Sequence, residues 1–183
     1  MTVRRGLMLG RFQPFHKGHL ALARQILKEC DELVIAIGSA QFNYIEKDPF
    51  TAGERFAMVH AALVEAGLSL SKCYIVPIAN DENNARWLAN LRSMLPQFGY
   101  IYTGNTYVAH LAHIQDPAIR IRRPKFESKK DYNGTNIRRL VVAGGKWKAL
   151  VPPAVAREIE SVDGVERIKL LASSGSESSP QSW

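Results

Sequence analysis

Two histidines three residues apart, His16 and His19, flank a glycine in Gly10-Arg11-Phe12-Gln13-Pro14-Phe15-His16-Lys17-Gly18-His19. The stretch follows an apolar run, Leu7-Met8-Leu9, and precedes a helical pattern, so it lies where a strand hands over to a helix. The amide groups that open a helix lack internal partners and point toward the preceding loop, so an anion docks there readily. Gly18 lets a phosphate come close to the backbone, and two imidazoles on the same side add donors. Arg11 stands just beyond the strand, where ligands enter open α/β sheets. A His-x-x-His pair also occurs as half of a metal site. That needs further ligands, and His60, His110 and His113 come in no zinc spacing. Isolated histidines are commonly structural or solvent-facing; Gly10, Pro14 and Gly18 favour phosphate.

Such a loop must be held by a sheet. Apolar runs at residues 7–10, 33–38, 74–78 and 100–103 read as strands, with a short edge strand at 120–123. They alternate with helical periods, which argues for an α/β domain with helices on both faces of a mainly parallel sheet. Leu33-Val34-Ile35-Ala36-Ile37 is apolar without alternation, as expected of a strand covered on both faces. The first helix is expected over 18–30, burying Leu20, Ala23, Ile26 and Leu27. The second opens with Thr51 and Glu54 at capping-box spacing and stops at Gly67. It should turn Phe56, Val59, Leu63 and Val64 to the core. Further helices are expected over 84–95, from Thr135 to Gly144-Gly145, and from Pro152-Pro153 to about Val162.

At 183 residues, 46% hydrophobic and 22% charged, the chain fits one domain with a real core. That domain is expected over residues 1–172, and the serine-rich residues 173–183 read as a disordered tail. No apolar run approaches the ~20 residues that span a bilayer. The N-terminus lacks the apolar core of a signal peptide, so a cytoplasmic protein with no membrane partner is expected. Cys30 and Cys73 sit in apolar patterns and read as free thiols of a reducing compartment. The net charge of +7 calls for a partner of opposite sign. Arg120, Arg122, Arg123, Lys125, Lys129 and Lys130 cluster ahead of Gly134. No helix-turn-helix or RNA-binding aromatic motif accompanies them, so nucleotides rather than nucleic acid are the expected partners.

The ten residues from Gly10 to His19 resemble the HxGH box of the nucleotidyltransferase superfamily. In their fuller form they resemble the archaeal type of nicotinamide-nucleotide adenylyltransferases. Gly38-Ser39-Ala40-Gln41, Asp48-Pro49-Phe50-Thr51-Ala52-Gly53-Glu54-Arg55 and Gly134-Thr135-Asn136-Ile137-Arg138-Arg139 agree, so the resemblance runs from about Gly6 to Leu171. It implies a single Rossmann-like domain ending in C-terminal helices. It implies adenylyl transfer from ATP, with Mg2+, to nicotinamide mononucleotide or its nicotinate analogue, giving NAD and pyrophosphate. It implies a homo-oligomer as well, hexamers being usual among archaeal members.

On that resemblance His16, His19, Arg11 and Arg138 are catalytic: the imidazoles lie over the α- and β-phosphates, and Arg138 reaches the β- and γ-phosphates with its planar fork. Gly10, Phe12, Gly18, Gly104, Asn105, Gly134 and Thr135 fall on the ATP side, Thr135 capping the helix that follows. Ser39, Lys47, Asn84 and Trp87 fall on the acceptor side. Asn84-x-x-Trp87 has the spacing of the family's nicotinamide-stacking tryptophan, whose face suits a cationic ring; composition alone allows a core tryptophan. Three positions depart from the family: Asn133 stands for a serine, Asn80-Asp81 displaces an acidic residue, and Lys47 stands for an arginine. The rival readings are another HxGH transferase, forming dephospho-CoA, FAD or a CDP-alcohol, and a non-catalytic nucleotide sensor. Asn84-x-x-Trp87 argues against the first, and His16, His19, Arg11 and Arg138 against the second.

Overall fold

Residues 33–37 are wholly inaccessible to solvent, because the strand they form is covered on both faces. The computed structural model describes residues 3–81, 83–125 and 132–174. Its strands are β1 (Arg5–Gly10), β2 (Glu32–Ile37), β3 (Cys73–Pro77), β4 (Tyr100–Tyr102) and β5 (Arg120–Arg122). They form one parallel sheet in the order β3-β2-β1-β4-β5. The chain runs outward from β1 through β2 to β3, then returns to lay β4 against the other side of β1. In such a sheet the crevice beyond the carboxyl ends of the central strands takes the ligand.

Alternation along the strands divides the interior in two. Met8, Leu33, Ile35 and Ile37 face one core, with residues of α1 (Lys17–Glu29), α2 (Ala52–Glu65), α5 (Gly134–Val142), α6 (Pro153–Ser161) and α7 (Gly164–Ser174). Leu7, Val34, Ala36 and Ile101 face the other, with α3 (Trp87–Met94) and α4 (Thr106–Gln115). This is the expected α/β architecture. Arg167 ties α7 to the start of α2: its two Nη atoms donate to Glu54 Oε2 at 2.7 Å and Oε1 at 2.9 Å. The same guanidinium lies over the Tyr44 ring, 4.6 Å from its centroid. The last helix thus backs the loop that follows β2.

Several expectations need correction. Phe56 and Val64 do not face the core but are 40% and 52% exposed. Val59 and Leu63 are buried as expected, and the rest of the buried stripe of α2 is Arg55, Met58 and Ala62, so the stripe is turned away from Phe56 and Val64. An arginine occupies the position that an apolar reading skips. Residues 84–86 form a 3-10 turn, so the regular helix begins at Trp87. The cap of α5 is Asn133, not Thr135, and α6 ends at Ser161 with α7 after it. Neither α4 nor α7 stands out in the sequence; α4 leaves Tyr107 and Ile114 exposed and so has a weak apolar stripe. Thr51 and Glu54 do make their capping box, and both cysteines are free thiols. Lys129, Lys130 and residues 175–183 of the serine-rich tail lie outside the described residues.

Candidate active site

The two histidines are themselves the cap of α1. His16 N–H donates to His19 Nδ1 at 3.2 Å, and His19 N–H donates to His16 Nδ1 at 3.3 Å. This is a capping box in which imidazoles stand where a hydroxyl and a carboxylate are usual. The rings stack with centroids 3.4 Å apart. With each Nδ1 accepting from a backbone amide, the proton of each neutral ring sits on Nε2, free to donate to a ligand. Burial lowers His16 to about 4. Burial and then the His16 ring hold His19 well below its ordinary value. Both rings are therefore neutral donors near pH 7. Phe12 and Phe15 pack around His19, with ring centroids at 4.8 and 5.3 Å. Gly18 is buried in the first turn behind them.

Facing this cap is the N-terminus of α5. Asn133 Oδ1 accepts from Asn136 N–H at 2.7 Å and caps the helix, a task that suits asparagine as well as serine. Gly134 is where the two loops touch. A Cβ there would stand 2.7 Å from Gln13 O, closer than any side chain tolerates. Arg138 Nη1 donates to that same carbonyl at 2.8 Å, and Nη2 to Thr135 Oγ1 at 3.5 Å. Burial first, then Arg11, lowers the Arg138 guanidinium from its ordinary value. Gln13 also clamps Phe50: its Nε2 donates to Phe50 O at 2.9 Å, and its Oε1 accepts from Phe50 N–H at 3.0 Å. Between these walls lies a cavity of about 390 Å³ lined by Arg11, Phe12, His16, His19, Gly134, Thr135 and Arg138. It presents donors and cations, with two helix N-termini at its edge, and suits a polyphosphate.

A second cavity, of about 300 Å³, opens beyond β2 and β3 and is lined by Gly10, Arg11, Ser39, Asn80, Asp81, Asn84 and Trp87. Ser39 has φ +55°, and both its N–H and its Oγ donate to Asn80 Oδ1, at 3.1 and 3.2 Å. Asp81 accepts from Asn83 N–H and from Asn90 Nδ2, each at 2.8 Å. The displaced pair thus divides its tasks: Asn80 holds Ser39, and Asp81 faces the cavity. Trp87 is half-buried, packing on the second core while one side lines the cavity. One face of the ring is thus committed to the core, and the other is open to the cavity.

Arg11 lines both cavities, and its Nη1 lies 3.3 Å from the buried Asp48 carboxylate. The remaining expected residues stand apart. Lys47 is exposed on the loop before Asp48 and lines neither cavity. Gly104 and Asn105 line neither; Asn105 caps α4, accepting from Tyr107 N–H at 2.9 Å. Gln13, Asp48 and Arg55 are structural partners of the site to which sequence reading gave no role. Arg55 had one legible signal, a charge inside the spacing of Met58, Val59, Ala62 and Leu63. Among the described residues no three His, Cys, Asp or Glu side chains gather as a metal site. Among them, too, no helix is long and apolar enough to cross a membrane.

The cytidylyltransferase-like family matches residues 7–140. A nicotinamide-nucleotide adenylyltransferase of Caldivirga maquilingensis is 46% identical over 180 residues, covering 98% of this chain and 99% of that relative. One of Pyrobaculum neutrophilum is 46% identical over 182 residues, covering 99% of this chain and all of the other. Among solved structures, a bifunctional NMN adenylyltransferase/ADP ribose pyrophosphatase of Francisella tularensis, complexed with AMP and a manganese ion, superposes with TM-score 0.76 at 23% identity. That match covers 96% of this chain, which spans about half of the bifunctional protein (53%).

Proposed function

Because the chain belongs to the cytidylyltransferase-like family, and within it to the nicotinamide-nucleotide adenylyltransferases, we propose that it joins the adenylyl group of ATP to nicotinamide mononucleotide, forming NAD and releasing pyrophosphate. The observation that carries the reading is the sharing of Arg11 between two cavities. One offers donors for a triphosphate; the other offers an aromatic face and amides for a ring. A phosphate of the acceptor and the α-phosphate of ATP would meet at the shared wall.

The reaction needs little covalent help from the protein. An oxygen of the acceptor phosphate attacks the α-phosphorus as the bond to the bridging oxygen breaks and pyrophosphate leaves. Catalysis consists of aligning two anions and stabilising the charge that builds between them. His16 and His19 donate from Nε2 toward the α- and β-phosphates. Arg138, anchored through Nη1, turns its other edge to the β- and γ-phosphates. Arg11 screens the two anions where they approach. A divalent cation, Mg2+ on this reading, would be brought by the nucleotide rather than held by protein side chains, since no three His, Cys, Asp or Glu gather among the described residues, and it would supply further positive charge at the phosphates. Trp87 stacks on the pyridinium ring. Asp81, 3.6 Å from the exposed Arg86, puts a carboxylate on the wall of the same cavity, which favours the neutral carboxamide over the nicotinate carboxylate. Lys47, on its exposed loop, attracts the acceptor phosphate from a distance.

The test is an assay offering ATP and Mg2+ with nicotinamide mononucleotide, nicotinate mononucleotide, phosphopantetheine or FMN. Pyrophosphate release with NAD formation is expected for the first, and slower pyrophosphate release with formation of the deamidated dinucleotide for the second. Turnover of FMN or phosphopantetheine alone would overturn the reading.

A further inference from the structure

Arg55 is wholly buried, yet among the described residues no carboxylate lies within ion-pair distance of it. A guanidinium carries five N–H donors, and all of these meet main-chain carbonyls. Nε donates to Thr51 O at 3.2 Å; Nη1 donates to Arg11 O at 3.0 Å and Gly38 O at 2.9 Å. Nη2 donates to Ser39 O at 3.1 Å and Phe42 O at 3.5 Å. Apart from Thr51 on its own helix, these acceptors lie just past the carboxyl ends of β1 and β2 and on the loop beyond. They also adjoin the two strained positions of the site: Phe12, next to Arg11, has φ +51°, and Ser39 has φ +55°. Side chains other than glycine adopt such angles only where surrounding bonds hold them.

We infer that Arg55 is a positioning residue for the transfer, fixing the spacing of the two cavities by gripping the main chain beside Arg11 and Ser39. The inference rests on the adenylyl-transfer reading. Arg11 belongs to both cavities and Ser39 to the acceptor cavity, so one rigid fork sets where each stands. A trans peptide points its N–H opposite its C=O. Turning the Arg11 carbonyl toward Arg55 therefore turns the Phe12 N–H away from it. The buried charge also stands beside the main chain of Arg11, the residue the two cavities share. No other side chain satisfies five carbonyls; a lysine has three donors on a single nitrogen and leaves buried carbonyls unpaired. Arg55 makes no hydrogen bond to His16, His19 or Arg138, whose own bonds hold the rest of the triphosphate cavity.

Arg55→Lys tests this. Wild-type turnover of ATP with nicotinamide mononucleotide is read first; its absence sinks the adenylyl-transfer reading, not the role of Arg55. Misplacement of reacting groups by about 1 Å costs about 100-fold in rate, and kcat of Arg55→Lys should fall on that order. Its Kd for ATP should stay near wild type, with cooperative melting retained. A kcat close to wild type would overturn the inference. So would loss of ATP binding or of cooperative melting together with activity, because Arg55 would then be a core residue rather than a support of the crevice. Ser39→Gly in the Arg55→Lys background gives a second reading. Glycine adopts the Ser39 angle without restraint, so kcat should partly recover, and a further fall would count against the inference.

Discussion

The two cavities are built in different ways. The triphosphate side is assembled from main chain: the starts of α1 and α5, two caps, and a glycine contact between loops. The acceptor side is assembled from side chains that hold one another, Ser39 to Asn80 and Asp81 to Asn90, with Trp87 shared between core and cavity. Where backbone makes the site, residue types are dictated at fixed spacing. Where side chains make it, neighbours can divide tasks, as Asn80 and Asp81 do. Changes on the first side should therefore cost rate and fold together, and changes on the second should alter the choice of acceptor.

The largest effect is expected at His16. Removing one donor from a preorganised anion site typically costs about 100- to 1,000-fold in kcat, and His16→Ala also removes the cap of α1, which costs about 1 kcal/mol. Turnover and Tm should fall together. Gly134→Ala comes next: its methyl group would press on Gln13 O, prising the loops apart. A loss of roughly tenfold or more in kcat/KM is expected from displacement of the phosphate walls, with weaker ATP binding. Unchanged kinetics would mean that the two loops do not need to touch.

His16 also gives the protein an acid limit. Its folded value, about 4, lies below its ordinary 6.5, so the unfolded chain binds the proton more readily. Stability from this group is whole above pH 6.5 and is lost as pH falls toward 4. His19, lowered in the same direction, adds to that loss. His16→Asn keeps a good cap without a titrating ring. Its Tm should fall less steeply over that range, and an equal slope would clear His16 of the effect.

On the acceptor side, Trp87→Ala should raise KM for nicotinamide mononucleotide by about 2- to 30-fold, the equivalent of 0.5–2 kcal/mol of cation–π contact. ATP binding should hardly change. A collapse of Tm with loss of both substrates would make Trp87 a core residue only. The smallest effect belongs to Lys47, which is exposed and lines neither cavity. Lys47→Ala should lower kcat/KM for the mononucleotide at low salt, with the difference vanishing as screening grows. No difference at any salt would return the residue to solvent.

The same contrast explains what could be read in the sequence. The parallel sheet was legible because Leu33 to Ile37 is apolar on both faces and because the strands alternate with helices. The candidate anion site was legible because a helix start, two imidazoles and glycines occur in one short run. That the imidazoles cap α1 through Nδ1 was not legible, since it depends on rotamers. Arg55 was hidden for another reason. Its partners are carbonyls of residues 11, 38, 39, 42 and 51, and backbone atoms leave no trace in residue types. The phase of α2 was misread because Phe56 and Val64 are apolar yet exposed, while the buried place went to a charge.

The claim that two cavities meet at one arginine is tested most directly by NAD itself, which on the proposed reading would span both. Its Kd should be measured by calorimetric titration of wild type, His16→Asn and Trp87→Ala, with ATP and nicotinamide mononucleotide titrated alongside. NAD should bind more weakly to both variants, ATP only to His16→Asn, and the mononucleotide only to Trp87→Ala. If NAD affinity is indifferent to either substitution, or Trp87→Ala weakens ATP as much as NAD, the two cavities are not the two halves of one active site.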